Sequence, residues 1–269
     1  MKNIILTILL FFSLNQNNVA STPTLAEAIV GEHRSVINIA RNAHRHPQET
    51  LEFFDIKNDM TVLEIWPGSE GWYTEILAPF LNNHGTYYAA NYDGSSGQEY
   101  FKRGAKKFES KLKESPKVYG KVLITTLMPP THILPAPDSS VDLILTFRNI
   151  HNWVENNIDD QMFKSAFIML KKGGVLGVVA HRTRDENQGR ASAKTGYLSE
   201  KNVITIVERV GFRLEATSEI NANPKDSKNH REGVWTLPPT YDGLNDDEKI
   251  VFENIGESDR FTLKFRKPF

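Results

Sequence analysis

The run Thr61-Val62-Leu63-Glu64-Ile65-Trp66-Pro67-Gly68-Ser69-Glu70-Gly71-Trp72-Tyr73 decides the fold. Its first five residues read as a short buried strand, the proline and two glycines as a turn, and the following stretch Thr74–Leu81 as a helix. A strand that passes over glycine directly into a helix is the opening of a βαβ unit.

The same alternation continues outward. Further strands are expected over 86–90, 121–125, Val141–Phe147, 175–180, 213–220 and Arg260–Arg266. Helices are expected over 98–113, 162–170, Glu200–Val210 and 246–254, with Gly173-Gly174 ending the second of these. In 98–113, Phe101, Ala105, Phe108 and Leu112 share one face, while Lys102, Arg103, Lys106 and Lys107 take the other and meet water. Upstream, 25–40 reads as one amphipathic helix, and Pro47 opens a second. Together these predict a mostly parallel seven-stranded sheet with helices on both faces, preceded by a helical extension. One domain over 21–269 accounts for all of it.

The first twenty residues differ from the rest: Lys2, an apolar run over 4–14, polar residues over 15–18, then Ala20 before Ser21. That is the pattern of a signal peptide, 1–20, and predicts an exported, periplasmic protein with no stable membrane anchor after cleavage. A net charge of -1 gives no general attraction to nucleic acid, so the expected partner is a small-molecule substrate. The sequence has no cysteine, which excludes disulfides, thiolate metal sites and a cysteine nucleophile.

Ligands of an open α/β sheet bind beyond the carboxyl ends of its strands, where helix amino-termini converge. The unusual residues of this chain stand there: Glu64 to Tyr73 after the first strand, Asn91-Tyr92-Asp93 after the second, Arg148 to Trp153 after the fourth, and His181-Arg182 after the fifth.

Three segments in order resemble the motifs of class I S-adenosylmethionine-dependent methyltransferases. Val62-Leu63-Glu64-Ile65 is similar to the acidic first strand, the stretch from Leu134 to Ile144 to the approach of the fourth, and Leu170-Lys171-Lys172-Gly173-Gly174 to the turn before the fifth. Arg45-His46-Pro47, Trp66-Pro67-Gly68, Gly71-Trp72-Tyr73 and Phe147 to Trp153 also resemble a subfamily of exported methyltransferase-like proteins. The resemblance implies a Rossmann-like methyltransferase fold and S-adenosylmethionine as cofactor. By it, Glu64, Gly68 and Gly71 meet the cofactor's amino-acid end, Asn91 and Asp93 its ribose, and the loop after the third strand its adenine.

The chain also departs from that family. Trp66 and Glu70 replace two of three alternating glycines, with Gly71 one place late, and Asn91 stands where the ribose-binding acid is usual. Either the turn slips by one residue or the pocket differs.

Methyl transfer by in-line displacement asks mainly for alignment and exclusion of water, with a base only for a protonated nucleophile. His151, His181 and Asn149 are the catalytic candidates, delivered by neighbouring strands to one edge. No metal site is expected, since His44 and His46 lie two apart without an accompanying acid. Two rivals stay open. One is an exported protein that binds a ligand on this fold without methyl transfer. The other, a nicotinamide-dependent oxidoreductase, lacks its Gly-x-Gly-x-x-Gly turn.

Overall fold

The computed structural model describes residues 22–269, so the segment 1–20, expected to be a signal peptide, lies outside the described residues. Seven strands form one sheet: β1 (Thr61–Ile65), β2 (Thr86–Asn91), β3 (Leu123–Thr126), β4 (Val141–Phe147), β5 (Leu170–His181), β6 (Arg213–Ser218) and β7 (Arg260–Arg266). Their order is β3-β2-β1-β4-β5-β7-β6, with β7 antiparallel to both neighbours and the other pairings parallel. From β1 the chain builds toward one edge, then returns to start β4 on the other side. The β1/β4 boundary is therefore the switch point of the sheet, where a crevice opens.

Successive strand residues point to opposite faces, and each face is apolar. Leu63, Ile65, Ala90, Ile144, Leu176 and Val178 join a core under the helices Ile150–Glu155, Asp159–Met169 and Glu200–Val210. Val62, Tyr87, Ala89, Leu143, Leu145 and Val175 join the core on the other face, with Leu51, Ile76, Leu77 and Phe108 from the helices Pro47–Phe53, Thr74–Leu81 and Glu99–Glu114. Glu64 lies on this second face with Val62, a carboxyl group set in a hydrocarbon layer.

Two expectations need correction, and one helix was not anticipated. The helix expected over 25–40 is two, Leu25–Ile29 and Val36–Ala40. Thr24 and Ser35 each cap one of them. Between them Arg34 turns inward to Glu75, Asn42 and the carbonyl of Ile29, which leaves Val36 and Ile37 exposed. Gly173-Gly174 does not end a helix: Asp159–Met169 stops at extended Leu170, and Gly173, at φ 76°, donates its N–H to Lys267 O inside β5. The helix Ile150–Glu155 has no clear periodic signature and was not expected.

Candidate functional site

Two residues open the crevice. Trp66 and Arg148 are the first residues past β1 and β4, and both are left-handed, at φ 50° and 62°. Bulky side chains rarely adopt this region, at a cost of roughly 1–2 kcal/mol each. Backbone hydrogen bonds to the next strand over hold them: Trp66 N–H to Ala90 O at 2.9 Å and Arg148 N–H to Val179 O at 2.7 Å. Asn149 joins the two turns, its Nδ2 donating to Ile65 O at 2.8 Å and Trp66 O at 3.2 Å.

The left-handed turn sends the Trp66 indole sideways. Its Nε1–H donates to Leu127 O at 2.8 Å, just past β3, and the ring packs on Tyr92, Phe101 and Trp153. Trp66 is 4% exposed. Burying an indole contributes on the order of 3 kcal/mol, which outweighs the backbone strain. The resemblance puts the nucleoside of the cofactor in this space, between the turn after β1, the end of β2 and the loop after β3. In this chain the Trp66 indole packs between Leu127 O, Tyr92 and Phe101 on that side of the turn.

The glycines of the turn divide by role. Gly68, at φ 76°, faces open space on the cavity wall. Gly71, at φ 55°, lines neither cavity at this end of the sheet: a Cβ there would stand 2.8 Å from the Phe108 ring, so close helix packing accounts for it. Asn91 and Asp93 line neither of the cavities at this end of the sheet. Asn91 is buried, accepts from Tyr92 N–H, and keeps an unpartnered Nδ2. Asp93 accepts from Ser95 near the surface.

What remains is a cavity of about 230 Å³ at the ends of β1, β4 and β5, joined to an outer hollow of about 660 Å³ through shared walls at Gly68, Trp72, Tyr92, Tyr100 and Arg148. Glu64, Gly68, Asn149, His151 and His181 all line the inner cavity. Glu64 accepts hydrogen bonds from Tyr87 and Thr74, and burial pushes its carboxyl up to about 7 despite them. The His151 and His181 rings lie 5.6 Å apart. Burial first, and Arg148 second, bring His151 down to about 4. Burial, His151 and Arg148 likewise lower His181, whose Nδ1 meets Ser258 Oγ at 2.6 Å. Both imidazoles are therefore neutral at pH 7, able to accept a proton or a hydrogen bond.

The other wall comes from a part of the chain where no site was expected. Val234, Trp235, Pro238, Pro239, Thr240, Glu257 and Ser258 close the cavity. Buried Asp226 anchors this segment, accepting from Tyr197 OH, His230 Nε2 and the N–H groups of Lys228 and Asp259. The polar loop 183–195 lines neither cavity. Arg190 instead ties it to Asp159 and Val154 O. Among the described residues no group of three His, Asp or Glu side chains is arranged to hold a metal ion.

Solved structures share this architecture over most of its length. A SAM-dependent methyltransferase from Aquifex aeolicus is similar with a TM-score of 0.56 at 16% identity, covering 85% of this chain and 93% of that one. A SAM-dependent methyltransferase from Methanosarcina mazei gives 0.53 at 13%, covering 81% and 97%. The [4+2]-cyclase SpnF gives 0.55 at 14%, covering 91% of each chain. No family model and no curated protein matches the sequence. The chain thus has the Rossmann-like fold of class I S-adenosylmethionine-dependent methyltransferases, and at these identities the likeness is one of fold.

Proposed function

We propose that this chain binds a small molecule in the crevice between β1, β4 and the segment 234–258, on a methyltransferase fold whose nucleoside space is occupied by its own tryptophan. The Trp66 indole carries this reading, because it is buried, hydrogen-bonded to Leu127 O and packed by three aromatic rings. An adenosine held by Asn91 and the loop after β3 would need the same volume. Fold does not determine chemistry here, since a [4+2]-cyclase is among the similar structures. An exported protein would also be free of a cofactor made in the cytoplasm. Recovery of the mature chain in a periplasmic fraction is the check on export.

Methyl transfer from S-adenosylmethionine is the second reading. It is favoured by the fold, by Glu64 and Gly68 on the cavity wall, and by the unpartnered Asn91 Nδ2, a donor suited to a ribose hydroxyl once the indole moves. Calorimetry of the mature protein with S-adenosylmethionine and its demethylated product separates the two. No heat of binding from either compound supports the first reading. Saturable binding of either, followed by turnover on an acceptor panel, supports the second.

A further inference from the structure

Three guanidinium groups, from Arg41, Arg45 and Arg260, pair with the Glu257 carboxylate beside the crevice, and a fourth, Arg148, feels its charge without bonding to it. Glu257 accepts from Arg41 Nε at 2.8 Å, from Arg45 Nε at 3.0 and 3.1 Å, and from Arg260 Nη1 at 3.2 Å. A carboxylate offers about four lone-pair positions, so these bonds use its capacity. Burial raises its proton affinity, but the surrounding arginines win and hold it ionised.

Arg45 and Arg148 keep unused donors on the walls of the crevice. Arg45 is 1% exposed and lies over the Trp72 ring at 4.7 Å, yet neither its Nη1 nor its Nη2 has a hydrogen-bond partner. The Arg148 side chain makes no hydrogen bond or ion pair with any described residue, and it lines both the inner cavity and the outer hollow. Glu64 on the same wall is engaged with Tyr87 and Thr74. Glu257 balances the Arg148 charge only from a distance, so the guanidinium, without a hydrogen-bonded partner, favours an arriving opposite charge. Arg103 and Lys107 on the hollow's rim add positive potential along the approach, partly offset by Glu70.

We propose that the ligand carries an oxyanion, a carboxylate or a phosphate, which Arg148 receives directly with Arg45 behind it. The planar fork of guanidinium fits either group through two parallel hydrogen bonds. Tyr73, stacked on Phe147 at 3.5 Å, together with Tyr92, Tyr100 and Trp235, gives walls for a flat apolar body. The ligand class is thus a small organic anion with an unsaturated body, its far end toward His151. This inference rests on the reading of the crevice as a small-molecule site.

The test is titration of the parent protein, Arg148→Gln and Arg148→Lys with sodium benzoate, phenyl phosphate and, as the neutral control, benzyl alcohol. Binding is followed by calorimetry, and the melting temperature of each variant reports folding. At least one anion is expected to bind more tightly than benzyl alcohol and to weaken with salt. Arg148→Gln is expected to lose roughly ten- to a hundredfold, with Arg148→Lys between it and the parent. Benzoate alone binding assigns a carboxylate, and phenyl phosphate alone a phosphate. Failure of both anions to bind the parent, or equal binding to Arg148→Gln, overturns the proposal. The S-adenosylmethionine titration is independent: a positive result there removes the first functional reading and leaves the anion result standing.

Discussion

The side-chain amide of Asn149 donates to the carbonyl oxygen of Ile65 at 2.8 Å, fastening the turn after β4 to the turn after β1. A second contact, to Trp66 O at 3.2 Å, extends the same clamp. Its Nδ2 is committed to the backbone, so Asn149 acts first as a positioning residue. Asn149→Ala is expected to cost about 2 kcal/mol in urea unfolding, because buried carbonyls lose their donor. Asn149→Asp should cost more, since its oxygens would face those carbonyls without a proton to donate. Equal stability of parent and both variants would contradict this role.

Glu64 makes a signed prediction about pH. Its folded-state value, about 7, lies above its ordinary 4.5, with burial as the cause. Protonated Glu64 is favoured by folding, so its contribution is complete below pH 4.5 and is lost as pH rises toward 7. The stability of the parent minus that of Glu64→Gln should therefore fall by on the order of 3 kcal/mol across this window. A flat or rising difference curve would show that Glu64 is ionised in the folded protein.

His151 should titrate near 4 by NMR, because burial and then the Arg148 charge oppose its protonation. Arg148→Gln removes the second cause and should raise the midpoint. A parent midpoint at or above the ordinary 6.5, or no change in the variant, would contradict the geometry of this wall.

Asp226 holds the C-terminal wall through Tyr197, His230 and two backbone N–H groups. Asp226→Asn turns one acceptor oxygen into a donor facing other donors, and is expected to cost about 3 kcal/mol. Proteolysis confined to 223–240 should accelerate in step. Unchanged cleavage there would mean that other contacts fasten the segment.

Much of this fold is legible in sequence because strands β1, β4 and β7 and the helices Thr74–Leu81 and Glu200–Val210 carry short-range patterns that end where their capping or turn residues stand. Glu64, Gly68, Asn149, His151 and His181 do meet around one cavity, since parallel strands bring their carboxyl ends to one rim. Other features depend on contacts that periodicity does not encode. Arg34 breaks the first helix by reaching Glu75, and Gly173 bends within β5 to pair with Lys267. The wall from Val234 to Ser258 arrives from far along the chain, and the Trp66 indole finds its place only when Tyr92, Leu127 and Trp153 surround it. The signal in the sequence is Trp66 itself, a bulky residue at the position of a glycine in the resembled motif.

The direct measurement is calorimetric titration of S-adenosylhomocysteine into the parent and into Trp66→Gly, which relieves the left-handed strain and empties the indole's space at a stability cost of roughly 3–5 kcal/mol. No binding by the parent together with saturable binding by folded Trp66→Gly is the predicted result. Tight binding by the parent, undiminished relative to the variant, would contradict the claim that Trp66 takes the nucleoside's place.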